Sequence, residues 1–223
     1  MNALTRRLIA KDLYLLRWLI AVSIGAGLLS LVIAAEGAMR FNIGCLGWIT
    51  TLIAAGIMVS MFGIANERKE RSQLFVLSLP LSHRDYVRIK LLASLACYLP
   101  VWLVLSAGAV LLVLVMPNLA DGLIPYTILL SAYMLTANFA VVLCAALHFR
   151  SEGAMTAVIV AANMGISVFI FVVGALPAIH QHLDAPAPVW NTTFWTVLLI
   201  EILFLLVALA LPLVFAARRR DYR

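Results

Sequence analysis

The chain has 223 residues, 65% of them hydrophobic and 12% charged, with a mean hydropathy of +1.07 and a formal net charge of +6. A soluble domain of this size needs a polar shell that such a composition cannot supply. The fold class expected is therefore all-α: a polytopic membrane protein with six transmembrane helices in one transmembrane domain over 1–223, with no room for a second, soluble domain.

In chain order, "TRRLIAK" at Thr5–Lys11 resembles a twin-arginine export signal, but that route carries folded soluble cargo and none follows. Leu4, Leu8 and Ile9 oppose Arg6, Arg7 and Lys11, which reads as a short interfacial helix entering the first span. The spans are expected at Leu16–Ala35, Ile43–Ile64, Leu91–Met116, Pro125–Leu147, Ala154–Leu176 and Trp195–Phe215. Each is long enough to cross about 30 Å of hydrocarbon at about 1.5 Å per residue. Turn chemistry separates the later ones: Pro117-Asn118, Asp121-Gly122, Glu152-Gly153 and the "DAPAP" run ending at Pro188. Tyr14, Trp18, Tyr126, Trp190 and Trp195 fall near span ends, where amphipathic rings meet headgroups.

Basic residues set the expected orientation. Of sixteen Lys and Arg, only Arg40 falls on one side; the rest lie in the N-terminus, between spans two and three, at Arg150, or after span six. By the positive-inside rule both termini and the segment 67–90 are cytoplasmic. This asymmetry accounts for the net charge without a nucleic-acid partner.

Polar chemistry inside the spans is sparse. Cys45, Cys97 and Cys144 each fall in an apolar run without metal-ligand spacing and read as small core residues. There is no G-x-x-x-x-G-K-[ST] loop, no H-E-x-x-H helix and no G-x-S-x-G elbow. His180, His182 and Asp184 offer at most three metal ligands on an outer loop, and Asn191 opens an N-x-T sequon close to span six. Glu201 is the one acid well inside a span. Two roles stand open for it: a hydrogen bond to Asn138 or Asn163, or a substrate or proton site. Ser23 and Gly27 form a small-xxx-small pair in span one.

The longest water-facing stretch is "ERKERSQLFVLSLPLSHRDYVRIK", Glu67–Lys90. Glu67 and Arg71 are spaced for a helical ion pair, and Leu74, Phe75 and Leu77 make an apolar patch. Pro80 ends that helix, and Ser82 with Asp85 forms an S-x-x-D box that starts a second helix running directly into span three. The patch either lies on lipid headgroups or is covered by a protein partner.

These residues carry a resemblance. Glu67, Leu79, Pro80, Ser82 and Lys90 match the order seen in the cytoplasmic segment of permeases of the ABC type-2 exporter family, and the six-span layout matches along the chain. Where family members often have Gly and Thr or Ser before the leucines, this chain has Glu70-Arg71-Ser72, and its loop between spans five and six is brief and proline-rich. The resemblance implies a permease subunit in the inner (cytoplasmic) membrane, paired with a second permease as homodimer or heterodimer. It implies a separate cytoplasmic ABC ATPase that holds the ATP, with no cofactor on this chain. Glu67, Arg71, Leu74, Phe75, Leu77, Pro80 and Ser82 would then seat in a groove of that ATPase. The alternatives are an intramembrane enzyme using His180, His182 and Glu201, and a proton-coupled carrier using Glu201.

Overall fold

A computed structural model describes residues 3–65, 82–149 and 151–218. All regular structure among them is helical. Helix α1 is Ala3–Ala34, and α2 is Ala38–Ser60, which continues through a wide π-helical turn at Met61–Ala65. Helix α3 is His83–Val115. The fourth crossing is composite: α4, Leu123–Tyr133, then a π-helical segment, Met134–Ala140, then α5, Val141–His148. Helix α6 is Glu152–Gly174, the short α7 is Pro177–His180, and α8 is Thr192–Arg218. Six of these crossings are long and apolar enough to span a bilayer, as the sequence predicts.

Two helices outrun the hydrocarbon. At 32 and 33 residues, α1 and α3 reach about 48–50 Å. The basic N-terminus is therefore not a separate interfacial helix; it is the first turns of α1. Continuing the helix satisfies its backbone polar groups without help from lipid. Arg17 closes over the Tyr14 ring at 4.1 Å, a cation–π contact.

The surface is apolar, as a lipid solvent allows. Trp18 is 70% exposed and Phe171 77%. The side chains buried completely form a slab across the middle: Leu52, Tyr98, Leu105, Met134, Phe139 and Leu143. Tyr98 stacks on Phe139 with ring centroids 4.1 Å apart.

Small residues set how closely the first three spans approach. On α2, a side chain at Gly44 would collide with the backbone of α1 at Ser30 and with Ala34, and one at Gly47 with Ser30 Oγ. Gly27 of α1 receives the Leu105 side chain of α3. The expected small residue of span one is thus a packing contact, with van der Waals complementarity as its gain. Helices α1 and α3 run parallel and in register. Asp12 meets Lys90 and Gly27 meets Leu105 at one constant offset of 78 residues. Pro100 and Pro212 lie inside α3 and α8; each removes an intrahelical hydrogen bond, a loss that buried neighbours tolerate in a membrane helix.

Candidate functional site

Two polar centres stand out, one at the base of α3 and one in the middle of the bundle.

At the base, the predicted cap is present. Ser82 has extended dihedrals, φ −72° and ψ 156°, and its Oγ accepts the Asp85 backbone N–H at 3.1 Å. The hydroxyl also donates to the Asp85 carboxylate at 2.7 Å. An acid in the first turn further suits the helix dipole. From this cap α3 runs unbroken for 33 residues, so a load applied at Ser82 acts on a single rod. Glu67, Arg71, Leu74, Phe75, Leu77 and Pro80 lie outside the described residues.

Two turns into α3, Lys90 Nζ donates to Asp12 Oδ2 of α1 at 2.8 Å. Both side chains are buried, 5% and 8% exposed. Lys11 flanks the pair with its Nζ 3.9 Å from the Asp12 carboxylate, and Leu8, Tyr86 and Ile89 close around it. Lys90 ends the segment that carries the family resemblance, whereas Asp12 lies outside every motif of the sequence. A signal existed. Asp12 is the single acid in "RRLIAKDLYLLR", next to a span, and a carboxylate there is expensive without a cation.

In the bundle interior, Asn138 sits on the π-helical segment and its Nδ2 donates to Asn163 Oδ1 of α6 at 3.3 Å. Helix α8 packs most extensively against this same segment. Glu201 is 6% exposed and near enough to Tyr133 to interact electrostatically. The asparagines bond to each other and neither bonds to Glu201. Among the described residues neither Glu201 oxygen has a hydrogen-bond partner. Of the two roles open to Glu201, the hydrogen bond to Asn138 or Asn163 is not made: the Asn138 amide donates to Asn163 of α6 instead. The widened turn adds one residue to the crossing and rotates its two halves against each other, which is where π-bulges and function often coincide.

An unbonded buried carboxyl costs about 1–3 kcal/mol. Glu201→Leu is accordingly expected to hold or raise the thermal midpoint in detergent, and Glu201→Gln to leave it near wild type. A clear loss of stability with Leu would show that the carboxyl has a bonding role.

The outer loop resolves differently. Asn191 serves as a cap: its Oδ1 accepts the Phe194 N–H at 2.8 Å and its Nδ2 donates to the Ala178 carbonyl. Gly122 N–H donates to the Ala185 carbonyl at 3.0 Å, and a side chain at Gly122 would run into the His182 carbonyl. The loop thus lies directly on the start of α4. His180, His182 and Asp184 do not converge there; among the described residues no three His, Cys, Asp or Glu side chains form a group able to hold a metal. Cys45, Cys97 and Cys144 are free thiols.

With this geometry in place, comparison with known families decides the class. The sequence model described as "ABC-2 family transporter protein" matches residues 7–218. The chain belongs to the ABC-2 transporter family. No curated protein and no solved structure matches it. As an ABC-2 protein with six apolar crossings it is a multi-pass membrane protein of the transport machinery. Of the segment resembling the family's coupling region, the described part is the Ser82 cap and the start of α3, the helix that the S-x-x-D box predicts.

Proposed function

We propose that this protein is the permease subunit of an ABC exporter in the cytoplasmic membrane, driven by a separate ATPase that docks on Glu67–Lys90. The observation that supports this most is the family match over 7–218, joined to a rod that begins at the Ser82 cap and crosses the whole membrane. A membrane subunit powered from outside needs such a part: a cytoplasmic contact connected rigidly to a span. ATP stays with the ATPase, and the permease contributes the pathway, as one of a pair of like or related subunits. ATPase closure would push the segment 67–90, and α3 would carry that displacement to the Tyr98–Phe139 stack. Because Lys90 is bound to Asp12, α1 would move with α3. The deciding experiment is purification in mild detergent from the native host. A soluble ATPase recovered in equal stoichiometry supports the reading, and a permease that purifies alone under conditions preserving its fold contradicts it.

Orientation is tested separately. In a background lacking Cys45, Cys97 and Cys144, Gln73→Cys and Tyr222→Cys are expected to resist an impermeant thiol reagent in intact cells, and Asp184→Cys to react. Labelling at position 73 from outside would place the segment on the wrong face for any cytoplasmic ATPase.

A further inference from the structure

Helix α2 packs on Met134–Ala140 and on α5, whereas it diverges from α4. At the end of the bundle remote from Ser82, the divergence leaves a cleft of about 320 Å³ between α2, α3 and α4, closed behind by α6. Phe41, Trp48, Leu112, Val113, Leu130 and Ile170 line it. It follows α2 from Phe41 to Ile49, about 12 Å at 1.5 Å per residue.

The polar groups of the lining are turned to the protein itself. Trp48 Nε1 donates to the Leu105 carbonyl at 3.1 Å, Tyr126 Oη to the Ile170 carbonyl at 3.2 Å, and Thr127 Oγ1 to the Leu123 carbonyl at 3.0 Å. The cleft therefore offers its occupant an apolar wall, with exposed Asn42 the one further polar side chain of the lining. Beside the cleft on the same helices, Ile43, Leu46, Leu111 and Leu114 are all more than half exposed. The cleft adjoins that exposed apolar surface. We propose that it holds a hydrocarbon chain of a membrane lipid, inserted from the adjoining leaflet between α2 and α4. Water has too few polar partners there to fill it. A flexible chain matches a narrow apolar slot, and the walls gain the dispersion contacts that a gap would forfeit.

Trp48 makes the test direct, because its ring is 3% exposed overall and lines the cleft. The full-length protein is reconstituted in phosphatidylcholine carrying bromine at mid-chain, and Trp48 emission is taken as the difference between wild type and Trp48→Phe. The expected result is loss of most Trp48 emission in brominated lipid. Ala109→Phe and Ile49→Phe fill the cleft from α3 and α2, and either is expected to restore that emission at a wild-type melting midpoint. Equal quenching in wild type and both filled variants overturns the proposal, since lipid would then reach the ring without the cleft. Absence of quenching in wild type also overturns it. In that case, cross-linking of Cys45 between copies by a bifunctional maleimide would identify a second subunit as the cover.

Discussion

Phe75→Asp is expected to strip the proposed ATPase from the purified protein while leaving its membrane helices inserted and folded. The argument is one of burial. "LFVLSLPL" places Leu74, Phe75 and Leu77 within a charged segment, an arrangement that costs apolar exposure unless a partner covers it. Fully burying a Phe or Leu side chain contributes about 1.5–3 kcal/mol. The substitution removes that contribution and forces a carboxylate into the contact. The combined loss weakens a micromolar-to-nanomolar interface by several powers of ten. Leu77→Asp is expected to act alike. Pro80→Ala leaves the patch uncharged, so binding is expected to survive while ATP hydrolysis runs without transport. A pull-down with purified ATPase beside size-exclusion profiles of each variant reads the result. Wild-type stoichiometry with Phe75→Asp would remove this segment from the docking site.

The second large effect is at the Asp12–Lys90 pair. Lys90→Met leaves the buried Asp12 carboxylate without the ammonium 2.8 Å away, and Asp12→Leu leaves the ammonium without its carboxylate. Breaking a buried pair from one side costs about 3–5 kcal/mol where the charge left behind is uncompensated, and Lys11, 3.9 Å from Asp12, reduces that cost for Lys90→Met. Replacing both partners by apolar residues is often close to neutral. The expected pattern is therefore non-additive: each single variant melts well below wild type, and Asp12→Leu with Lys90→Met recovers most of the loss. Stability measured by thermal unfolding in detergent gives the cycle. If the double variant loses the sum of the two single losses, the charges act independently and the pair is not a unit. Transport supplies the second readout. A double variant that is stable but couples ATP hydrolysis poorly would show that the pair, beyond holding α1 to α3, transmits motion between them.

Much of this molecule was legible in its residues. Six runs of sufficient length dictate six crossings, because the bilayer demands internally bonded backbone for its full thickness. The S-x-x-D box located the start of α3 at Ser82, since capping is a local matter of one side chain and the N–H three residues on. Tertiary structure decided which faces meet. A soluble helix advertises its buried face by an apolar stripe, but these helices are apolar all round. Lipid-facing and protein-facing sides differ only in small residues and a few polar groups. Nothing local in α1 indicates that Gly27 receives Leu105, or that Asp12 binds a lysine 78 residues away. The π-helical segment at Met134–Ala140 arises from the same level. It carries the bond from Asn138 to Asn163, while Glu201 of α8 has no hydrogen-bond partner among the described residues, an arrangement set by helices packing together rather than by any one of them. Charge, length and caps are properties of a segment; register and pairing in an apolar solvent belong to the assembled bundle.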